Sequence, residues 1–354
     1  MPNRWLDCMP YVQANQNIAV KYCYIKQIET DINLTMKELP PVKVRFETVT
    51  EDQEGQRLDN FLKTRLKGVP KSALYRIVRK GEVRVNKKRA KPDTRLQCDD
   101  IVRIPPVRVS PDSGGDKIHV GSRTQALIDS RILYEDEGLL VINKPSGMAV
   151  HGGSGLSFGV IEAVRKMRPD AKFLELVHRL DRETSGCLMI AKKRAILKSL
   201  HEHLREGGLD KVYQALLIDR WNGRFHKIDS PLQKFHLASG ERIVQVSREG
   251  KPSVTEFTVL EHLPGATLVQ AKPITGRTHQ IRVHAQFSGH PIAGDEKYTL
   301  RTQNAVFKGY GLSRLFLHAT SIDIPSDVLG YPLKVEAPLD DELSAVLSRL
   351  REVV

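Results

Sequence analysis

Between Pro105 and about Gln125 the chain carries Pro105-Pro106 and Ser110-Pro111-Asp112-Ser113-Gly114-Gly115, with few large side chains. Such a stretch has too little apolar surface to join a core, and it reads as a flexible tether over 107–127. A tether there makes two folding units the natural arrangement for the 354 residues. The unit before it is small and the unit after it is long. The two differ sharply in charge and pattern, so each is read by itself.

The small unit is expected over 45–106. From Arg57 to Arg108 there are 16 Lys and Arg against 5 Asp and Glu. The whole chain has a formal net charge of +13, so most of the excess sits in about one seventh of its length. A charge kept for solubility would be spread out, whereas a local one points to a polyanionic partner. The plain alternative is the solvated face of a small domain. Leu58, Phe61, Leu62 and Leu66 recur at helical spacing, and this helix should stop near Gly68-Val69-Pro70. A second helix from Lys71 would turn Leu74, Ile77 and Val78 inward and end at Gly81. Val83-Arg84-Val85 and Ile101-Val102-Arg103-Ile104 alternate as strands do, and Asn86-Lys87-Lys88-Arg89 is a basic turn. Residues 1–44 show no period and no low-complexity run, so they read as an N-terminal extension with little order. Met36-Lys37-Glu38 offers an alternative translation start inside it.

The long unit, 128–354, is rich in strand patterns. Leu139-Leu140-Val141-Ile142-Asn143 reads as a buried strand, and further strands are expected near 212–218, 242–247, 253–261 and 266–273. Helices are expected from Gly159 to Met167 and from Ala195 to Arg205, the latter with Leu197, Leu200 and Leu204 inward. There is no internal repeat, and helices and strands do not alternate regularly. That irregular order predicts an α+β fold.

The most telling string is His178-Arg179-Leu180-Asp181-Arg182-Glu183-Thr184-Ser185-Gly186. It sets one carboxylate, Asp181, between two arginines, whose charge favours the ionised form. Phe173-Leu174-Glu175-Leu176-Val177 before it and Cys187-Leu188-Met189-Ile190-Ala191 after it read as short strands, with Thr184-Ser185-Gly186 as the turn between. Alone, such an Asp would be a turn residue in a surface ion pair. It is not alone. Lys211-Val212-Tyr213-Gln214-Ala215 follows, then Thr275-Gly276-Arg277-Thr278-His279-Gln280-Ile281-Arg282-Val283-His284, then Gly289-His290-Pro291-Ile292 and Gly294-Asp295. Asn143-Lys144-Pro145-Ser146-Gly147 and Val150-His151-Gly152-Gly153-Ser154-Gly155 precede it. In this order the strings resemble the motifs of the RluA family of RNA pseudouridine synthases, from about residue 40 to the C-terminus. The likeness is nearest to members acting on large-subunit ribosomal RNA. Helix, helix and strand with cationic turns in the small unit resemble the S4 RNA-binding domain.

The resemblance implies a catalytic domain built on a mixed, largely antiparallel sheet with the active cleft across its middle. It implies isomerisation of uridine to pseudouridine with Asp181 as the catalytic carboxylate, acting at the base, at the sugar carbon or on a sugar proton. That reaction breaks an N-glycosidic bond, turns the base and rejoins it through carbon, so it requires no cofactor. Tyr213 would stack on the extruded uracil. Arg282 or Arg277 would pair with Asp181 by parallel hydrogen bonds. Arg282 is favoured because Gln280, Arg282 and His284 alternate on one side of an extended segment, which leaves Arg277, at a Gly-bearing turn, to contact phosphate. Arg179 would fill the gap left by the flipped base, or simply neutralise Asp181. In the small unit, Arg57, Lys71, Ser72, Arg76, Arg79 and Lys80 are the candidate RNA contacts. The expected partner is large-subunit ribosomal RNA and the expected state a monomer.

Other classes fit less well. Cys8, Cys23, Cys98 and Cys187 are far apart and form no Cys-x-x-Cys pair, so neither a zinc site nor a disulfide framework is expected. His201 and His203 read as helix-surface residues rather than metal ligands. No Gly-Lys-Ser/Thr follows the glycines at 152–155, and no Asp-Phe-Gly follows His178-Arg179-Leu180-Asp181, so neither a P-loop nor a kinase loop is present. No apolar run reaches the roughly 18 residues of a membrane span, and no secretory signal opens the chain; a cytoplasmic location is expected. A binding protein without activity would not need the Asp181, Tyr213 and Arg282 set. A nucleoside hydrolase would not need the basic unit.

Overall fold

The computed structural model describes residues 43–66, 68–107, 121–152, 158–236 and 241–353. The expected extension up to residue 42, the alternative start at Met36 and most of the expected tether lie outside these residues. Two compact units emerge, divided between Asp116 and Lys117.

The small unit is a four-stranded antiparallel sheet packed on two helices. Its strands are β1 (Arg45–Thr48), β2 (Arg84–Val85), β3 (Lys88–Arg89) and β4 (Ile101–Ile104), in the order β1-β4-β2-β3. The helices span Leu58–Arg65 and Lys71–Arg79. Leu58, Phe61, Leu62, Leu74, Ile77 and Val78 face inward as their spacing predicts, and they meet Val102 and Ile104 in one core. Gly81, at φ +73°, stops the second helix. Asn86 and Lys87 both have positive φ, the signature of a tight hairpin turn between β2 and β3. The sequence reading missed β1. It is a short strand, mostly exposed, that among the described residues pairs only with β4, and so it has little alternation to display.

The large unit is built on one ten-stranded sheet. Its strands are β5 (Ile132–Glu135), β6 (Leu139–Lys144), β7 (Glu175–Leu176), β8 (Ser185–Ala191), β9 (Asp210–Ile218), β10 (Phe225–Asp229), β13 (Val254–Leu263), β14 (Ala266–Pro273), β15 (Leu317–Ile324) and β16 (Leu333–Glu336). β11 (Leu232–His236) and β12 (Arg242–Val246) form a separate hairpin. The main order is β10-β13-β14-β9-β15-β8-β6-β5, with β7 added to β8 and β16 to β15. Every pairing is antiparallel except β8 with β15, so the sheet is mixed and largely antiparallel, and the α+β expectation holds. β6 and β8 are buried along their whole lengths, which explains their unbroken apolar runs. Leu188, Met189 and Ile190 of β8 are fully buried, each contributing roughly 1.5–3 kcal/mol.

Three local expectations need correction. The helix Ser122–Asp129 starts inside the expected tether; it buries only Ile128, too little to give an apolar period. Ser185 and Gly186 belong to β8 rather than to a turn, because both pair with β15. Gln280–Phe287 is a helix, not an extended segment. Its first six residues are all buried, so no face is left polar to reveal the 3.6 period.

Gly186 holds the parallel join together. It has φ +107° and pairs with Ala319, and an added Cβ would land inside the backbone of Ala319. Gly186→Ala is therefore expected to cost about 3 kcal/mol or more. Gly147→Ala, at φ +79° with open space around it, should cost about 1–2 kcal/mol. Thermal melts of the two variants check this; equal losses would show that the β8–β15 approach is not tight.

Candidate active site

The loop 178–184 enters β8 from β7, and its backbone is held from several sides. Leu180 is buried in the core. The Nε2 of His178 accepts the Met189 N–H at 3.1 Å, and burial pushes this imidazole down to about 3, so it stays neutral. Thr184 N–H closes the turn on the Asp181 carbonyl at 3.2 Å. Beneath the loop lies Lys144 at the end of β6, fully buried. Its ammonium donates to the carbonyls of Pro145, Met148 and Arg182 at 2.9, 2.9 and 3.0 Å, one for each proton. Burial pulls it down to about 7, against the opposing pull of Glu183 and Asp181. Lys144 thus ties the turn after β6 to the residue next to Asp181.

The Asp181 side chain, 20% exposed, lines a cavity of about 560 Å³. Arg282, on the Gln280–Phe287 helix, donates from Nη1 to Asp181 Oδ2 at 3.2 Å. The rest of the guanidinium is taken by Asp295, whose two oxygens accept from Nε and Nη2 at 2.7 and 2.8 Å. Burial opposes the charge of Arg282, but the hydrogen bonds and charge of Asp295, then of Asp181, more than offset it and raise its pKa. Asp295 also accepts the backbone N–H groups of Lys297 and Tyr298, so its buried carboxylate is fully met. Asp181 Oδ1 has no hydrogen-bond partner among the described residues. One oxygen is anchored and the other is left for a substrate.

Tyr213 reaches the same cavity from β9 and is buried. Burial, then the charge of Asp181, raises its pKa, so it is a neutral phenol whose ring is available for stacking. Arg277 lies exposed on the rim, donating to the Pro252 carbonyl at 3.2 Å rather than to Asp181. Arg179 is also exposed on the rim, and among the described residues it forms no ion pair, with Asp181 or otherwise. Of the expected large-unit residues, the structure therefore brings Asp181, Arg282 and Tyr213 together and sets Arg179 and Arg277 at the mouth. His201, expected on a helix surface, also lines the cavity and donates from Nε2 to the Val177 carbonyl at 2.9 Å. Sequence reasoning gave no role to His279, Asp295 or Tyr298. A helical reading of 280–287 would have put His279 one turn before Arg282.

In the small unit, Lys71, Ser72, Arg76, Arg79 and Lys80 are exposed along and just beyond the second helix. Arg57 differs. Its guanidinium is bound by both oxygens of Asp59 at 3.1 and 2.9 Å, and Asp59 also accepts the Tyr75 hydroxyl.

The profile of the RNA pseudouridylate synthase family matches residues 138–287, which span the Asp181 loop, Tyr213 and Arg282. The chain is 56% identical over 313 residues to the Ribosomal large subunit pseudouridine synthase C of Pasteurella multocida, spanning 87% of this chain and 94% of that one. The chain belongs to the RNA pseudouridylate synthase family. The protein of the same name from Escherichia coli strain K12 is 55% identical over 316 residues, 89% of this chain and 98% of its own. The S4 domain profile matches residues 56–102 in the small unit. Among solved structures, human RNA Pseudouridylate Synthase Domain Containing 4 superposes with a TM-score of 0.53 at 28% identity, over 64% of this chain and 95% of its own. A pseudouridine synthase is an isomerase, and the residues that match its family lie in the large unit. No helix among the described residues is long and apolar enough to cross a membrane.

Proposed function

We propose that this pseudouridine synthase isomerises uridines of large-subunit ribosomal RNA, with Asp181 as the catalytic carboxylate. The observation that carries the role of Asp181 is its split environment: Oδ2 is anchored by Arg282 while Oδ1 has no hydrogen-bond partner among the described residues, in a cavity that Tyr213 also lines. A carboxylate so held is oriented before substrate arrives, which is the arrangement a nucleophile or base needs. The names and identity of the bacterial relatives support the choice of RNA.

The reaction is balanced without an outside reagent. The bond between N1 and the sugar breaks, the uracil turns, and a carbon–carbon bond forms from C5. One proton leaves C5 and one is gained at N1. The chain must hold the loose uracil and keep water from the broken bond. Tyr213 supplies the stacking face, and Arg179 on the rim takes the place of the extruded base in the stack. Arg277 holds a neighbouring phosphate. The exposed cations Lys71, Arg76, Arg79 and Lys80, with Ser72, bind the backbone of the same RNA. Arg57, already paired with Asp59, orients the first helix and adds less.

Mapping pseudouridines on large-subunit RNA from cells with and without the gene tests this reading. Sites absent in the deletion and restored by the wild-type protein are the expected result; an unchanged map would sink the proposed substrate. On the same RNA, replacing Lys71, Arg76, Arg79 and Lys80 together by Ala should flatten the salt dependence of binding by about 0.7–0.9 in slope for each phosphate that these cations neutralise. An unchanged slope would remove this helix from the interface.

A further inference from the structure

His279 stands out in the site by its backbone. Five non-glycine residues among those described have positive φ, and of these only His279 lines the cavity. Its φ of 55° and ψ of 19° place it in the left-handed region just before the Gln280–Phe287 helix. The side chain carried by this unusual backbone lies between two groups. Its Nε2 is 3.7 Å from Asp181 Oδ2, and its Nδ1 is 2.7 Å from the Tyr298 hydroxyl.

The hydrogen-bond directions follow from chemistry. The Tyr298 oxygen already accepts the Val244 N–H at 3.1 Å. Burial pushes this phenol up to about 12, so it keeps its proton near neutral pH, and Nδ1 is the acceptor in reach. Nδ1 therefore accepts, and the ring proton of a neutral imidazole sits on Nε2, facing Asp181. Burial lowers the pKa of His279 while Asp181 opposes the shift, which is consistent with a neutral ring. Tyr298 also lies against Arg282, with the guanidinium carbon 5.0 Å from its ring centre. Both groups near Oδ2 are thus braced by one tyrosine.

We propose that His279 is a positioning residue for the isomerisation: its Nε2–H fixes the Asp181 carboxylate through Oδ2, and Tyr298 fixes the tautomer that makes this possible. The proposal rests on Asp181 being the reacting carboxylate. The 3.7 Å separation is longer than a hydrogen bond; it closes when the uridine enters the cavity and water leaves, as catalytic contacts do on substrate binding. Oδ1 then remains the one oxygen free to react.

Two substitutions separate this role from a purely conformational one. The amide nitrogen of Gln reaches as far as Nε2 and can still donate to Asp181, whereas that of Asn stops near the position of Nδ1. Asn, however, tolerates the left-handed backbone better. A positioning role ranks His279→Gln above His279→Asn, and a backbone role ranks them the other way. Single-turnover rates on an RNA substrate and RNA affinity would be measured with the full-length variants, with Asp181→Asn beside them. The expected losses in rate are about 10-fold for Gln and about 10²-fold for Asn, with affinity unchanged in both. Equal rates, a faster Asn variant, or losses confined to affinity would overturn the proposal. If neither variant folds, Tyr298→Phe decides, since it leaves the backbone at 279 alone: a slower rate at unchanged affinity supports the role, and an unchanged rate overturns it. An Asp181→Asn protein that still turns over would instead remove the underlying reading of Asp181.

Discussion

Asp181→Asn is expected to lose about 10³-fold or more in single-turnover rate while binding RNA as the wild type does. Asn keeps the size of the side chain and can still accept from Arg282, so the fold and the anchored half of the site should survive. What it removes is the charged oxygen. Because Oδ1 makes no hydrogen bond among the described residues, the substitution disturbs no protein partner there, and a slower rate would report chemistry rather than collapse. The check is pseudouridine formation on a substrate RNA, paired with an affinity measurement and a thermal melt. Substantial turnover in a folded Asp181→Asn protein would take Asp181 out of the mechanism. A fall in affinity equal to the fall in rate would make it a binding residue.

Arg282→Met should reduce both stability and activity. Arg282 is 7% exposed and links two carboxylates, Asp181 and the fully buried side chain of Asp295. Removing one partner of a buried pair leaves the other charge uncompensated, at a cost of about 3–5 kcal/mol. Two backbone N–H groups still serve Asp295, so the loss should fall toward the lower end of that range. The double variant Arg282→Met with Asp295→Asn removes the stranded charge and should recover part of the stability. It should not recover activity, because the Arg282 hydrogen bond to Asp181 Oδ2 is still missing. Denaturant melts and single-turnover rates of the single and double variants test this. Equal stability of the two would mean that Asp295 is not a buried charge in need of Arg282. Recovered activity would mean that the anchoring of Asp181 is dispensable.

Much of the fold could be read locally. The two helices of the small unit are amphipathic over eight and nine residues, and their inward sets follow directly from spacing. The runs in β6 and β8 are apolar throughout because both strands are buried along their whole lengths. The failures are also physical. β1 is short and mostly exposed, and the Ser122–Asp129 helix buries one residue, so neither shows a period. The Gln280–Phe287 helix fails for the opposite reason, being buried on every side over its first six residues. Its start is set by a side chain: Gln280 Oε1 accepts from Arg277 N–H and Thr275 Oγ1, while its amide donates to Val254 O and Thr255 Oγ1. No propensity scale contains that set of long-range hydrogen bonds.

The irregular order of helix and strand patterns by itself determined the α+β class, and the order of motifs determined the family and the candidates Asp181, Tyr213 and Arg282, because each of these residues lies in a short string whose residue types can be read without knowing the fold. It determined the concentrated positive charge of the small unit in the same way. Only the tertiary structure decided between Arg282 and Arg277, found Asp295 behind Arg282, and set His279 beside the carboxylate with Tyr298 behind it. Asp181 and Arg282 are 101 residues apart in the chain. They meet because β8, which follows the Asp181 loop, and β14, which leads toward the Arg282 helix, are separated in the sheet only by β15 and β9, with Tyr213 on β9 between them. Strand order depends on pairings between distant segments, and the local periodicity of a sequence carries no record of them.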